Sequence, residues 1–189
     1  MEVYMVFTDT KTPLSKMIKL YTRHPYSHVS LSFNRELNEV YSFGRKSANK
    51  AFSGGFVKED LHGALFQRAH CAIFKCQVSE EGYAAMRVFI HKMEQRHEQY
   101  KYNLAGLFAI ALQKAFEREK AFFCSQFVSE VLQYGGIQVS TKPSSLTMPS
   151  DLFDAEQFDL LYRGAMEDYS FFEKVHLSLQ EEKCLAEVL

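Results

Sequence analysis

The sequence predicts an α+β domain, and three observations predict it. Short apolar segments with strand character occur at both ends of the chain, helical periodicity is grouped after an early hairpin, and no repeat or Pro-, Gly- or Ser-rich linker divides the 189 residues. At 47% hydrophobic residues the chain can bury one good core, so one domain is expected.

Residues 2–8 alternate well enough to be the first strand. Pro13 suits the first position of a helix running to about Arg23, with Leu14, Met17, Ile18 and Tyr21 facing inward. HVSLSF (28–33) and EVYSF (39–43) read as two strands around a polar turn at Asn34–Glu36. Between Gly44 and about Arg68 the chain reads mostly as loop, because Gly44, Gly54, Gly55 and Gly63 fall among basic and polar residues. Cys71–Val78 is the next strand. Ser79 can cap a helix whose stripe is Tyr83, Met86, Ile90 and Met93. A more apolar helix is expected over about Asn103–Phe116. In FFCSQFVSEVLQYGG, Phe127, Val128, Val131 and Leu132 line one helical face, and Gly135-Gly136 ends it. Pro149-Ser150-Asp151 opens a short turn or helix, Phe158–Tyr162 is a last strand, and the acidic segment after Gly164 is a peripheral helix.

Charge excludes some functions. Lys and Arg total 22 against 23 Asp and Glu, which gives no reason to expect nucleic acid or an anionic membrane as the main partner. The apolar run near Leu104–Leu112 is about half of what a bilayer span needs, so no transmembrane segment is expected. MEVYMVFT has neither a basic leader nor a small-residue cleavage site, and a cytoplasmic location is expected. Four scattered cysteines are too few for a disulfide framework, and none forms a CxxC pair. Cys71 and Cys76 fit buried, inert positions on opposite faces of one strand, and Cys184 lies in a polar tail.

Cys124 differs. It opens a helix, where free amide N–H groups and the helix dipole favour a thiolate and can hold an oxyanion. Ser125 and Gln126 make a polar first turn that suits an end facing a cleft. A buried cysteine opening a core helix satisfies the same position equally well. His28 heads a strand on which His28, Ser30 and Ser32 share one face and Val29, Leu31 and Phe33 the other. If Asn34-Arg35-Glu36 is a three-residue hairpin loop, Phe33 pairs with Leu37 and His28 falls opposite Ser42. A one-residue slip brings Phe43 there instead. No other histidine pair has ligand spacing: His91 and His97 point apart, and Pro25 separates His24 from His28. Metal binding is not expected.

Together these segments resemble the circularly permuted NlpC/P60 families of the papain-like superfamily, with the YiiX/YebB-like cysteine peptidases and lecithin:retinol acyltransferase-like proteins as relatives. PYSHVSLSF is similar to the histidine motif, NEVYSF to the following strand, FFCSQFVSEVLQYGGI to the cysteine helix, and MPSDLF to the Pro-containing segment after it. The resemblance spans roughly residues 1–163 as one catalytic domain, leaving 164–189 as its helical extension. It implies an antiparallel sheet or partial barrel packed against helices, and no cofactor. Cys124 would be the nucleophile and His28 its base, through an acyl-enzyme. The third position departs from the pattern. Relatives place a strong acceptor there, whereas the matching residue here is Ser42, with Glu39 as the charged alternative if the register shifts.

The implied substrate is a small peptide or other amide. Arg45 and Lys46, with Lys50 nearby, could hold a carboxylate, although a solvated basic loop is the commoner case. Tyr26 and Tyr41 could line a pocket or belong to the core, and Gly54-Gly55-Phe56 could hinge a flap. Three functions stay open: amide hydrolase, thioesterase or acyltransferase on lipid acyl groups, and a non-catalytic binding module.

Overall fold

The structure is a computed structural model that describes residues 1–45, 54–103, 121–176 and 178. An antiparallel sheet of six strands forms its centre, in the order β4-β3-β2-β1-β5-β8. The strands are β1 (Glu2–Asp9), β2 (His28–Ser32), β3 (Val40–Arg45), β4 (Gly54–Glu59), β5 (His70–Gln77) and β8 (Asp159–Ala165). A two-stranded parallel pair, β6 (Lys101–Tyr102) with β7 (Ala121–Phe122), stands beside it. The helices are α1 (Pro13–Thr22), α2 (Glu80–Glu94), α3 (Cys124–Tyr134), α4 (Pro149–Phe153) and α5 over 169–176. The α+β class is therefore as the sequence predicts. Among the described residues, no helix is long and apolar enough to cross a membrane.

Strand alternation gives the sheet two cores. Val3, Met5 and Phe7 of β1 join Val29, Leu31, Phe43 and Phe56 on the face covered by α2 and α3. Tyr4 and Val6 join Val40, Cys71, Ile73, Met166 and Tyr169 on the other. Cys71 and Cys76 divide between the two cores, as their odd spacing predicts. Met86, Ile90 and Met93 are the buried stripe of α2, and the Ser79 hydroxyl accepts from the Gly82 N–H at 3.0 Å to cap it. In α1, Thr12 caps Ser15, and Arg23 ends the helix in the left-handed region at φ 53°. The apolar helix expected over 103–116 falls, past Asn103, outside the described residues, as does Cys184.

Two expectations are corrected. Residues 54–59 are not loop: they form β4, which pairs with β3 from Val40↔Glu59 to Arg45↔Gly54. The glycines there mark close approach rather than a hinge. A Cβ on Gly54 would lie 2.7 Å from Tyr102 Cβ and 3.0 Å from the Gly44 carbonyl oxygen, so β6 can lie against β4 only over a bare Cα. Gly54→Ala should cost about 1–3 kcal/mol in urea unfolding, because neither contact is a flexible side-chain end. An unchanged unfolding midpoint would show that β6 carries no load there.

The hairpin register also differs. Leu31 pairs with Tyr41 and Ser32 with Val40, and the Phe33 N–H donates to the Glu39 carbonyl at 3.1 Å. The loop is longer than three residues because the Asn34 side chain organises it, accepting from the Asn38 and Glu39 N–H groups at 3.2 Å each. Leu37 adopts φ 56° and buries its side chain in the second core. Burial of that leucine offsets a left-handed backbone that a leucine otherwise disfavours. The change is an even one, so every side chain keeps its face and only its partner moves.

Candidate active site

Cys124 is placed by what precedes it. β7 runs directly into the helix, the Asn103 N–H donates to the Phe122 carbonyl at 2.7 Å, and the Phe122 ring packs 5.0 Å from Phe43. Phe123 then takes an extended N-cap conformation with no side-chain cap, and Phe127 N–H is bonded back to its carbonyl at 3.0 Å. The amides of the first turn therefore lie beside the thiol, where helix geometry leaves them without carbonyl partners of their own. Ser125 and Gln126 do not face a cleft as expected. Ser125 is fully buried and its hydroxyl donates to the Thr147 carbonyl at 2.8 Å, fixing α3 to the turn before α4. Gln126 is 5% exposed, and its buried Oε1 has no hydrogen-bond partner among the described residues.

His28 begins β2 opposite Thr8 of β1. Its Nε2 lies 2.8 Å from Glu59 Oε1, and the Cys124 thiol is near enough to act on the ring's charge beside that carboxylate. With Nε2 occupied by the carboxylate, Nδ1 is the nitrogen left for sulfur. Two residues nearly a hundred positions apart in the chain are thus brought to one site.

Glu59, absent from the sequence expectations, is the acid of this site. Its Oε1 also accepts from the Ser42 hydroxyl at 2.6 Å, and its Oε2 accepts from Ser30 at 2.5 Å. Ser42 is thus a partner of the acid rather than the third residue itself. In the observed register Ser30 takes the position opposite Ser42, and His28 falls beside Gly44. A Cβ on Gly44 would lie 3.5 Å from His28 Cε1 and 3.2 Å from both Ser42 Oγ and Glu59 Oε1. Glu39, the charged alternative, is engaged elsewhere: it pairs with Arg87 and accepts from the Tyr41 hydroxyl at 3.3 Å. The signal for Glu59 was an acid following FVK at the end of a short apolar stretch, obscured by the glycines that precede it.

Electrostatics follow from that enclosure. Burial acts to lower the pKa of His28, but the Glu59 carboxylate and the thiol outweigh it and raise it from 6.5 to about 10. Burial likewise acts to raise Glu59, yet the imidazolium and the hydroxyl donors hold its carboxyl below the ordinary 4.5. The resulting pair is a carboxylate against an imidazolium, with the Cys124 thiol as the ring's other electrostatic neighbour. Cys71 has no such partner, and burial pushes its thiol up to about 12. Cys76 is also raised, first by burial.

No family model matches the chain, and no curated protein does.

The expected substrate contacts fare differently. Tyr26 is a core residue, stacked on Phe153 with centroids 5.7 Å apart and flanked by Phe7 and His24. Tyr41 is 3% exposed and stacks on Phe56 at 5.8 Å. Lys46 and Lys50 lie outside the described residues. So does the side chain of Arg45, whose backbone pairs with Gly54. Gly54-Gly55-Phe56 belongs to β4 and is no flap. Among the described residues, no group of three or more His, Cys, Asp or Glu side chains is placed to share a metal ion.

Proposed function

We propose that this chain is a thiol hydrolase of the papain-like, permuted NlpC/P60 type, with Cys124 as nucleophile, His28 as base and Glu59 as the acid that orients it. The observation that carries this reading is the imidazole of His28, bonded to a buried carboxylate and with the helix-start thiol of Cys124 as its other electrostatic neighbour. Structural cysteines have no use for a charged partner, and a histidine between thiol and carboxylate is the arrangement that keeps a thiol ionised at neutral pH.

The chemistry follows in steps. In the ion pair His28 already holds the proton that left sulfur, and the thiolate adds to a carbonyl carbon while first-turn amides of α3 stabilise the oxyanion. Collapse breaks the bond to the leaving group, which takes the proton from His28. Water, deprotonated by His28, then hydrolyses the acyl-enzyme and restores the thiol. Amide cleavage in a small peptide is the reaction we propose, since a fixed imidazolium serves best where the leaving group is a poor one and must be protonated as it departs.

The test is competitive alkylation of the folded protein with iodoacetamide at pH 6, read by peptide mass spectrometry. Cys124 should react about 100-fold faster than Cys71 or Cys76, because only its thiol has an imidazolium beside it. His28→Ala should erase the preference. Equal reactivity of all three in the native protein would end the enzyme reading. Incubation with p-nitrophenyl acetate should add one acetyl group to Cys124, and a stable adduct with no turnover would turn the reading toward acyl transfer.

A further inference from the structure

We infer that Ser30 and Ser42 are positioning residues that hold Glu59 as the fixed counter-ion of His28, an inference that rests on the thiol-hydrolase reading above. Both serines are fully buried. Ser30 lies on β2 and Ser42 on β3, while Glu59 comes from β4, so the carboxylate is gripped across three strands. The grip is complete at both oxygens. Ser42 and His28 donate to Oε1 at 2.6 and 2.8 Å, and Ser30 donates to Oε2 at 2.5 Å.

Three converging donors demand an acceptor that carries no proton. A neutral carboxyl would itself present an O–H toward one of them, and a carboxylate does not. The serines are otherwise poor choices for their positions. Buried strand sites favour β-branched or apolar side chains, and an unbonded hydroxyl there costs free energy. A hydroxyl reaching the acid accounts for serine at both. Space for the cluster comes from Gly44, where any side chain would crowd Ser42 Oγ and Glu59 Oε1 at 3.2 Å.

Neither serine needs to touch substrate. Each acts through Glu59: with a hydroxyl gone, the carboxylate can rotate off Nε2 or take up a proton. The imidazolium then loses its anion, and the proton passing from sulfur to Nδ1 is less well held there. Glu59 keeps its charge throughout and exchanges no proton with the ring.

The test is the pH profile of Cys124 alkylation by iodoacetamide, in which the thiolate displaces iodide. Ser30→Ala, Ser42→Ala and the double variant are followed from pH 4 to 10 beside the wild-type chain. The acid limb should move to higher pH by about 0.5–1 unit in each single variant, which is about a 3–10-fold slower rate at pH 6. The shift should be larger in the double variant, and all rates should converge near pH 10. Ser30→Thr, which keeps a hydroxyl, should return the limb toward its wild-type position. A purely structural role predicts a lower melting temperature with the limb unmoved, and that result overturns the inference. So does a uniform loss of rate at every pH. Glu59→Gln separates the two levels: if it moves the limb and the serine variants do not, the clamp is wrong and the hydrolase reading stands. If wild-type Cys124 reacts no faster than Cys71 and Cys76, the hydrolase reading falls and takes the clamp with it.

Discussion

Glu59→Gln should slow alkylation of Cys124 at pH 6 by about 100-fold while leaving the rate at pH 10 within a few-fold of wild type. The reason is the balance at His28. Burial alone drives the ring toward its neutral form, and the carboxylate is the largest influence opposing it, lifting the pKa to about 10. A glutamine amide removes that charge and puts an N–H2 where one of the acceptor oxygens stood, so the hydroxyl or the ring on that side loses its acceptor. The main influence opposing burial is then gone, the His28 pKa falls, and the ring is a weaker holder of the proton from sulfur. At high pH bulk base takes over that task, so the difference closes.

The same substitution has a signature in stability. The raised His28 contributes stability that is fully present below its unfolded value of 6.5 and is lost as pH rises through about 10. The depressed Glu59 contributes stability that is fully present above 4.5 and is lost as pH falls through its folded value. Both act in full between those two unfolded values. The melting-temperature gap between wild type and Glu59→Gln should therefore be widest at pH 4.5–6.5 and shrink steadily toward pH 10. At its widest it should correspond to about 3 kcal/mol. A gap constant with pH would mean that glutamine merely packs badly.

Phe43→Ala should be the most damaging single truncation in the described structure for both stability and the site. Phe43 is fully buried, with Phe122 at 5.0 Å, Phe127 at 5.3 Å, Phe56 at 6.1 Å and Tyr100 at 6.2 Å. It stands between Ser42 and Gly44 in sequence, and its ring packs against Phe122 of β7 and Phe127 of α3, on either side of Cys124 in the chain. Losing it should cost about 3–5 kcal/mol. For a chain of this length that is a fall of about 6–20 °C in melting temperature. Because the ring joins the sheet carrying His28 and Glu59 to the helix carrying Cys124, the alkylation preference should fall with it. Phe43→Leu should cost about 1 kcal/mol and retain most of the preference. A loss under 1 kcal/mol for the alanine variant would show that the ring cluster does not hold these elements together.

Much of the molecule is legible one segment at a time. The Ser79 cap and the Met86, Ile90, Met93 stripe of α2 depend on residues within four positions of each other. So do the glycine-ended α3 with Cys124 at its start and the polar alternation of β2 around His28. Interactions of that range are written in the local order of side chains, which marked Cys124 and His28 as candidates and left their partnership to the family resemblance. β4 was not, because Gly54 and Gly55 weaken the strand pattern that Phe56 and Val57 provide. Gly54 is needed because Tyr102, distant in the chain, lies against it.

The sequence alone therefore determined the α+β class and the ends of its clearest helices, and placed a cysteine at a helix start and a histidine at a strand head, which only the family resemblance joined. Tertiary structure decided which acid serves that histidine. Glu59 reaches it only because β3 carries β4 alongside and because the hairpin loop that Asn34 organises sets a register in which Ser30, Ser42 and His28 share one carboxylate. The physical reason is range. A cap or a stripe is settled by neighbours along the chain, whereas an acid 31 residues from its histidine is selected by strand pairing and burial, which no short stretch of sequence contains.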